Sequence, residues 1–306
     1  MAVTQERELP IPARLAHWER PAAAARRGAQ IRKAFRLLVL YVIAGVIAAI
    51  CLIPILWMVK TSFETPEFIR SAQVQFWPIA PTLQNYRDVI ENPNARIARS
   101  MANSIIVALL ATMLNLTVTV AAGYCLSRFE FRGKLVFAMY LLLFYMIPRT
   151  LLLIGLFVML ARLQLLNSLI GLILVYAAVG VPLATWWLKG FFDSIPVEIE
   201  EQAMIDGSTR LGALRQVILP LAAPGVAAVA IFLFVDAWNE YMIALTVIHT
   251  AELRTLPVQI TNFIGIGRVE WGPVMAFSLI VATPAVILFA VAQRHMVSGL
   301  MSGFSK

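Results

Sequence analysis

Three observations predict an all-α membrane protein of six transmembrane helices with both termini in the cytoplasm. Of the 306 residues, 60% are apolar and only 14% charged, at a mean hydropathy of +0.80, against about 25% charged and 45–50% apolar in a soluble domain. The charges fall so that they bound six long uncharged stretches. Lys and Arg are also divided unevenly between alternate connections. Together these exclude a disordered chain, a nucleic-acid module and an ordinary soluble enzyme. The net charge of +8 is read through loop asymmetry rather than as affinity for nucleic acid.

A helix rising about 1.5 Å per residue needs about 20 apolar residues to cross roughly 30 Å of hydrocarbon. The first span lies between Arg36 and Lys60, which enclose 23 uncharged residues. The second lies between Arg99 and Arg128, and the third between Lys134 and Arg162, interrupted only by Arg149. Arg162 and Lys189 bound the fourth. The fifth follows Arg215 and runs toward Asp236 and Glu240, and the sixth fills the interval from Glu270 to Arg294. A transmembrane β-barrel would need shorter segments of alternating polarity, and the sequence has none.

With the N-terminus inside, the inner connections and tails carry 16 Lys and Arg and the outer ones 8, the asymmetry expected of that orientation. The basic segment 1–36 leads into the first span, which is too long for a cleaved signal peptide and reads as an uncleaved anchor. Residues 37–296 form the membrane domain and 297–306 a cytoplasmic tail. Cys51 and Cys125 sit in apolar stretches as small packing residues. His17, His249 and His295 are scattered without metal-ligand spacing. Among the outer connections, 61–100 suits a short amphipathic element lying on the membrane, and 247–270 contains Gly265 and Gly267.

The inner connection 193–220 carries the most helix signals. Ser194 is a plausible N-cap and Pro196 suits a first turn. Glu198, Glu200 and Glu201 favour the positive end of a helix dipole. That helix should stop at Asp206, because Gly207 can take the left-handed C-terminal turn. Ser208 or Thr209 then caps a second short helix with Leu211, Leu214, Val217 and Ile218 on its apolar face, and Pro220 opens the fifth span. The result is a helix–Gly–helix elbow, either lying on lipid headgroups or docking a cytoplasmic protein.

The spacing of Glu201, Ala203, Gly207, Leu219 and Pro220 resembles the EAA loop of bacterial ABC importer permeases, with Gln202 in place of the first Ala and Val217 in place of Ile. Further segments resemble the carbohydrate-uptake, maltose-type branch of that family. They are TLQNYRDV from Thr82, GYCLSRFEFRGK from Gly123, NSLIGLIL from Asn167, TWWLKGFFDSIP from Thr185, DAWNEYMIAL from Asp236 and SGLMSGFSK from Ser298. The resemblance implies a type I ABC importer permease fold, paired with a homologous second permease. It also implies two ATPase subunits that bind ATP and Mg, an extracytoplasmic solute-binding protein, and a sugar-like solute. Glu198, Glu201, Ala203, Asp206, Gly207, Leu219 and Pro220 would then form the ATPase-coupling surface, and the tail with Gly299 and Gly303 would reach the ATPase subunits. Gly265 and Gly267 would meet the binding protein. The sequence has no Gly-x4-Gly-Lys-Ser/Thr phosphate loop, so ATP hydrolysis is expected in a separate subunit and no cofactor in this one.

Ionisable groups within a membrane are costly and by default functional. Arg149, beside Pro148, is either a pore- or partner-facing charge or half of a structural ion pair. Asp236, Asn239 and Glu240, near the outer end of span five, either line a solute path or tie the helix to a neighbour. An ion-gradient transporter is the alternative, but it would be expected to place coupled carboxylates at mid-membrane. Here they gather at the membrane edges and in the elbow.

Overall fold

The computed structural model describes residues 23–71, 76–78, 80–265 and 268–303. The chain divides into two units, residues 1–57 and 58–306. In the first unit the described residues belong to helix α1, Ala23–Ser62, which contains Pro54 and continues into the second. In the second, α2 (Pro66–Ile69) and α3 (Gln84–Ile90) precede α4 (Ile97–Arg128). Next come α5 (Lys134–Tyr145), α6 (Arg149–Arg162) and α7 (Leu169–Asp193). The elbow follows as α8 (Val197–Ile205) and α9 (Arg210–Ala213), and then α10 (Leu219–Trp238), α11 (Met242–Val247) and α12 (Trp271–Gly303). A two-residue hairpin, β1 (Ile264–Gly265) with β2 (Arg268–Val269), pairs antiparallel before α12. Among the described residues, five helices are long and apolar enough to span a membrane, or six if α5 and α6 count as one.

That count amends the third span. Lys134–Arg162 is not one helix but two, bent by 95° across Met146–Pro148. Proline has no N–H to donate and disfavours helical backbone in the residue before it. Pro148 accordingly takes a non-helical φ/ψ and α6 starts afresh at Arg149. Arg149 therefore lies at a helix start rather than midway along a rod.

Within the connection 61–100, α3 buries Asn85 and Val89. The Asn85 side-chain amide donates to the carbonyls of Ser62 (2.9 Å) and Glu64 (2.8 Å), and α3 packs on α12. Both cysteines are free thiols, and both are exposed on their helices instead of packing within the chain.

At the centre, α4 lies along α7. The approach depends on small residues: a Cβ on Gly180 would sit 2.7 Å from both the Asn115 amide and a Leu233 methyl. Asn115 donates 2.6 Å to the Ala177 carbonyl, tying the two helices at mid-length. One apolar cluster joins Tyr124, Leu188, Phe192, Leu214, Ile218 and Leu233 toward the elbow. Two others fill the far half, around Leu160, Leu172 and Ile243, and around Trp238, Leu256 and Phe277.

Candidate functional site

Three residues, 194–196, separate the end of α7 from the first elbow helix. Ser194 is not the N-cap of the first elbow helix: it caps the C-terminus of α7, its hydroxyl donating 2.7 Å to the Phe191 carbonyl. Pro196 holds the N-cap position instead, where its fixed φ and missing N–H cost nothing. α8 then stops where the sequence places its end. The Ser208 N–H donates to the Ala203 carbonyl (3.0 Å) and the Gly207 N–H to the Met204 carbonyl (3.1 Å), the paired bonds of a Schellman turn. Gly207 has φ +95°, with nothing within 4 Å of where a Cβ would stand. Its backbone angle, not crowding, therefore calls for glycine. Thr209 caps α9, accepting 3.1 Å from the Gly212 N–H.

The second arm differs from the expected short helix ending at Pro220. Arg210–Trp238 is a continuous helical run, with a π-helical turn at Leu214–Ile218 closed by the Leu219 N–H on the Leu214 carbonyl. The wider turn lets the chain reach Pro220 without a break, since the proline has no N–H to place in the ladder. Leu214 and Ile218 are buried, Leu219 is half-buried against them and Pro220 is exposed. Val217 is half-buried and Leu211 exposed, so the apolar face is narrower than the sequence suggests.

At the tip, Glu198, Glu201, Asp206 and Gly207 are exposed and Ala203 is half-buried. Ile205 stands 83% exposed beside them. The elbow thus offers an acidic and apolar knob. Underneath it is a group that sequence reasoning missed. Glu200, read there only as a helix-dipole residue, is buried and takes the Arg128 Nε at 2.9 Å, the two side chains being 3% and 4% exposed. The Tyr124 hydroxyl donates to its other oxygen. Arg128 Nη2 also donates 2.8 Å to the Ile195 carbonyl, and Arg210 stacks 4.8 Å over the Phe129 ring. The only sequence signal for this joint is a basic residue closing an apolar span, which identifies no partner.

A second charged group lies elsewhere in the bundle. Arg149 Nη2 donates to both oxygens of Asp236, at 2.9 and 3.1 Å. The pair is about one-third exposed, in a cleft of about 440 Å³ also lined by Phe232, Asn239, Glu240 and Tyr241. Of the four residues suggested for a solute path, Arg149, Asp236 and Asn239 share this cleft without a further structural tie between elements. Glu240 has additional work: its oxygens accept from the Ile243 and Ala244 N–H groups and from the Tyr176 hydroxyl at 2.6 Å, capping α11 and holding it to α7.

Gly265 lies in the hairpin opposite Arg268, and Gly267 falls outside the described residues. Gly299 and Gly303 belong to the last turns of α12, which runs unbroken past residue 297. Asn167, also missed as a site residue, ties the start of α7 to the 247–270 connection: its side-chain oxygen accepts from the His249 and Thr250 N–H groups.

A multi-pass helical bundle presenting a turned, exposed elbow at one end is the architecture of a membrane-embedded transport subunit. The chain matches the family of binding-protein-dependent transport system inner membrane components over residues 115–300, and it belongs to that family. It is 37% identical over 271 residues to the trehalose/maltose transport system permease protein of Thermococcus litoralis, covering 88% of this chain and 96% of that one. The sulfoquinovosyl glycerol transport system permease protein of Agrobacterium fabrum is 37% identical over 264 residues, covering 86% and 92%. A solved bacterial ABC transporter involved in import of the acidic polysaccharide alginate shares the fold at a TM-score of 0.71 and 22% identity, covering 86% of this chain and 97% of that one.

Proposed function

We propose that this chain is a transmembrane permease subunit of an ATP-binding-cassette importer, moving a sugar or sugar-like solute across the plasma membrane by alternating access. The single observation carrying this reading is the elbow, a rigidly capped turn with an exposed acidic and apolar tip. Glu198, Glu201, Ala203, Asp206 and Gly207 meet a separate ATPase subunit there, with Leu219 and Pro220 supporting the second arm. Two ATPase subunits bind ATP and Mg, and Gly299 and Gly303 extend toward them. A homologous permease completes the pore, and a solute-binding protein delivers cargo near Gly265 and Gly267.

Counting α5 and α6 as one crossing gives six spans, which returns the chain to its starting side and leaves both termini in the cytoplasm. The elbow-end segments carry Arg128, Arg132, Lys134, Lys189, Arg210 and Arg215, which supports a cytoplasmic elbow. The Arg149–Asp236 cleft lies on the solute path. The named uptake permeases among the relatives support a sugar-like cargo, and the gathering of carboxylates at the elbow disfavours an ion-gradient mechanism. The test is uptake into vesicles containing the companion subunits and binding protein. Uptake should require ATP and persist when ion gradients are collapsed; uptake that follows the gradient and ignores ATP overturns the reading.

A further inference from the structure

We propose that α4 is the rod that carries the elbow's movement to the far end of the bundle, clasped at one end by Tyr124, Arg128 and Glu200 and at the other by Ser100, Asn103 and Ser104. The proposal rests on the permease reading above and adds positioning residues to it. α4 runs 32 residues without a proline, about 48 Å at 1.5 Å per residue. The other apolar spans among the described residues contain a proline or break at one: Pro54 in α1, Pro148 between α5 and α6, Pro182 in α7, Pro224 in α10 and Pro284 in α12. Proline kinks or loosens a helix by removing a ladder hydrogen bond. α4 is therefore the span best able to move as one piece.

Its two ends are held by directional bonds. At the elbow, both Glu200 oxygens are occupied, one by Arg128 and one by Tyr124, while Arg128 also grips the Ile195 carbonyl just ahead of α8. Burying an ion pair does little for stability compared with apolar packing of the same volume. It does fix distance and orientation, so α8 cannot slide over the end of α4. The other arm of the elbow enters α10 through a π-helical turn packed by Leu214 and Ile218, and apolar contact is non-directional. The stiff route from the tip is therefore α8 to α4.

At the opposite end, Asn103 donates to the carbonyls of Glu252 (2.8 Å) and Arg254 (3.1 Å). Ser104 accepts 2.7 Å from the Leu256 N–H, and Ser100 accepts from buried Gln259. All four partners lie in the 247–270 connection. Displacement of α8 should consequently appear in that connection.

The test uses the assembled importer in proteoliposomes, with Cys51 and Cys125 replaced by Ser and one exposed cysteine introduced as His249→Cys. The rate of maleimide labelling at that cysteine is compared with and without ATP plus vanadate, so no solute need be known. Trapping should change the rate about tenfold, within the range typical of coupled sites. Glu200→Gln and Asn103→Ala should each cut that change at least threefold while basal ATP hydrolysis stays within about twofold, and the double variant should lose no more than the worse single one. If Glu200→Gln prevents assembly, Tyr124→Phe takes its place in the cycle. An unchanged labelling rate in the parent, a retained response in either single variant, or losses that multiply in the double would overturn the rod. An assembly that hydrolyses no ATP would instead overturn the permease reading.

Discussion

Two arginine–carboxylate pairs occupy this molecule at places with opposite demands. Arg128 and Glu200 are enclosed, with Tyr124 and the Ile195 carbonyl taking up further bonding capacity. Arg149 and Asp236 face an open cleft, each about one-third exposed. The chemistry is the same, but the surroundings assign different work. An enclosed pair cannot exchange partners cheaply, because either charge left alone has no water to replace its mate. A pair that faces an open cleft is not held by its surroundings in the same way, since each side chain keeps about one-third of its surface free of the rest of the chain. The enclosed pair is thus a joint, while the open one is less tightly fixed by its neighbours.

The sharpest way to break this comparison lies at the elbow itself. Gly207→Pro should abolish uptake while leaving membrane insertion intact, because a φ of +95° lies outside anything the pyrrolidine ring allows. Glu201→Lys should do the same by reversing a charge on the exposed tip. Uptake assays alongside membrane fractionation check both.

The next largest effect separates the two pairs directly. Arg128→Ala should lower the stability of the assembled protein by about 3–5 kcal/mol, the usual cost of orphaning a buried charge. Arg149→Ala should cost less, because Arg149 and Asp236 are each about one-third exposed instead of enclosed. Thermal unfolding of the two variants in the same detergent is the measurement, and equal losses would erase the distinction.

Removing residues 298–306 asks whether the C-terminal tail adds to the coupling proposed for the elbow. Solute moved per ATP should fall while assembly is largely kept, as read in reconstituted complexes. The smallest effect is Thr209→Ala, which removes the side-chain cap on α9. It should cost about 1 kcal/mol with little change in uptake, since the Gly207 turn survives it.

The amino-acid sequence by itself determined the elements that depend on local chemistry. Long uncharged runs dictate apolar helices, because each span satisfies its own backbone groups. The stop at Asp206, the left-handed Gly207 and a cap at Ser208 or Thr209 are settled within a few residues of chain. The spacing of Glu201, Ala203, Gly207, Leu219 and Pro220 was enough to suggest the family.

What only the tertiary structure decided are contacts between residues far apart in the chain, where a type and a position do not name a partner. Glu200 and Glu201 are adjacent and identical, yet one is buried against Arg128, 72 residues away, and the other is exposed. In the sequence Arg149 is either a pore- or partner-facing charge or half of an ion pair with no partner named, until the 95° bend after Tyr145 leaves it on Asp236. Ser194 caps the end of α7 rather than the start of α8, because the two helices follow so closely that one residue could serve either. In each case the deciding quantity is which surfaces the packed bundle hides from its surroundings, and that follows from the arrangement of whole helices.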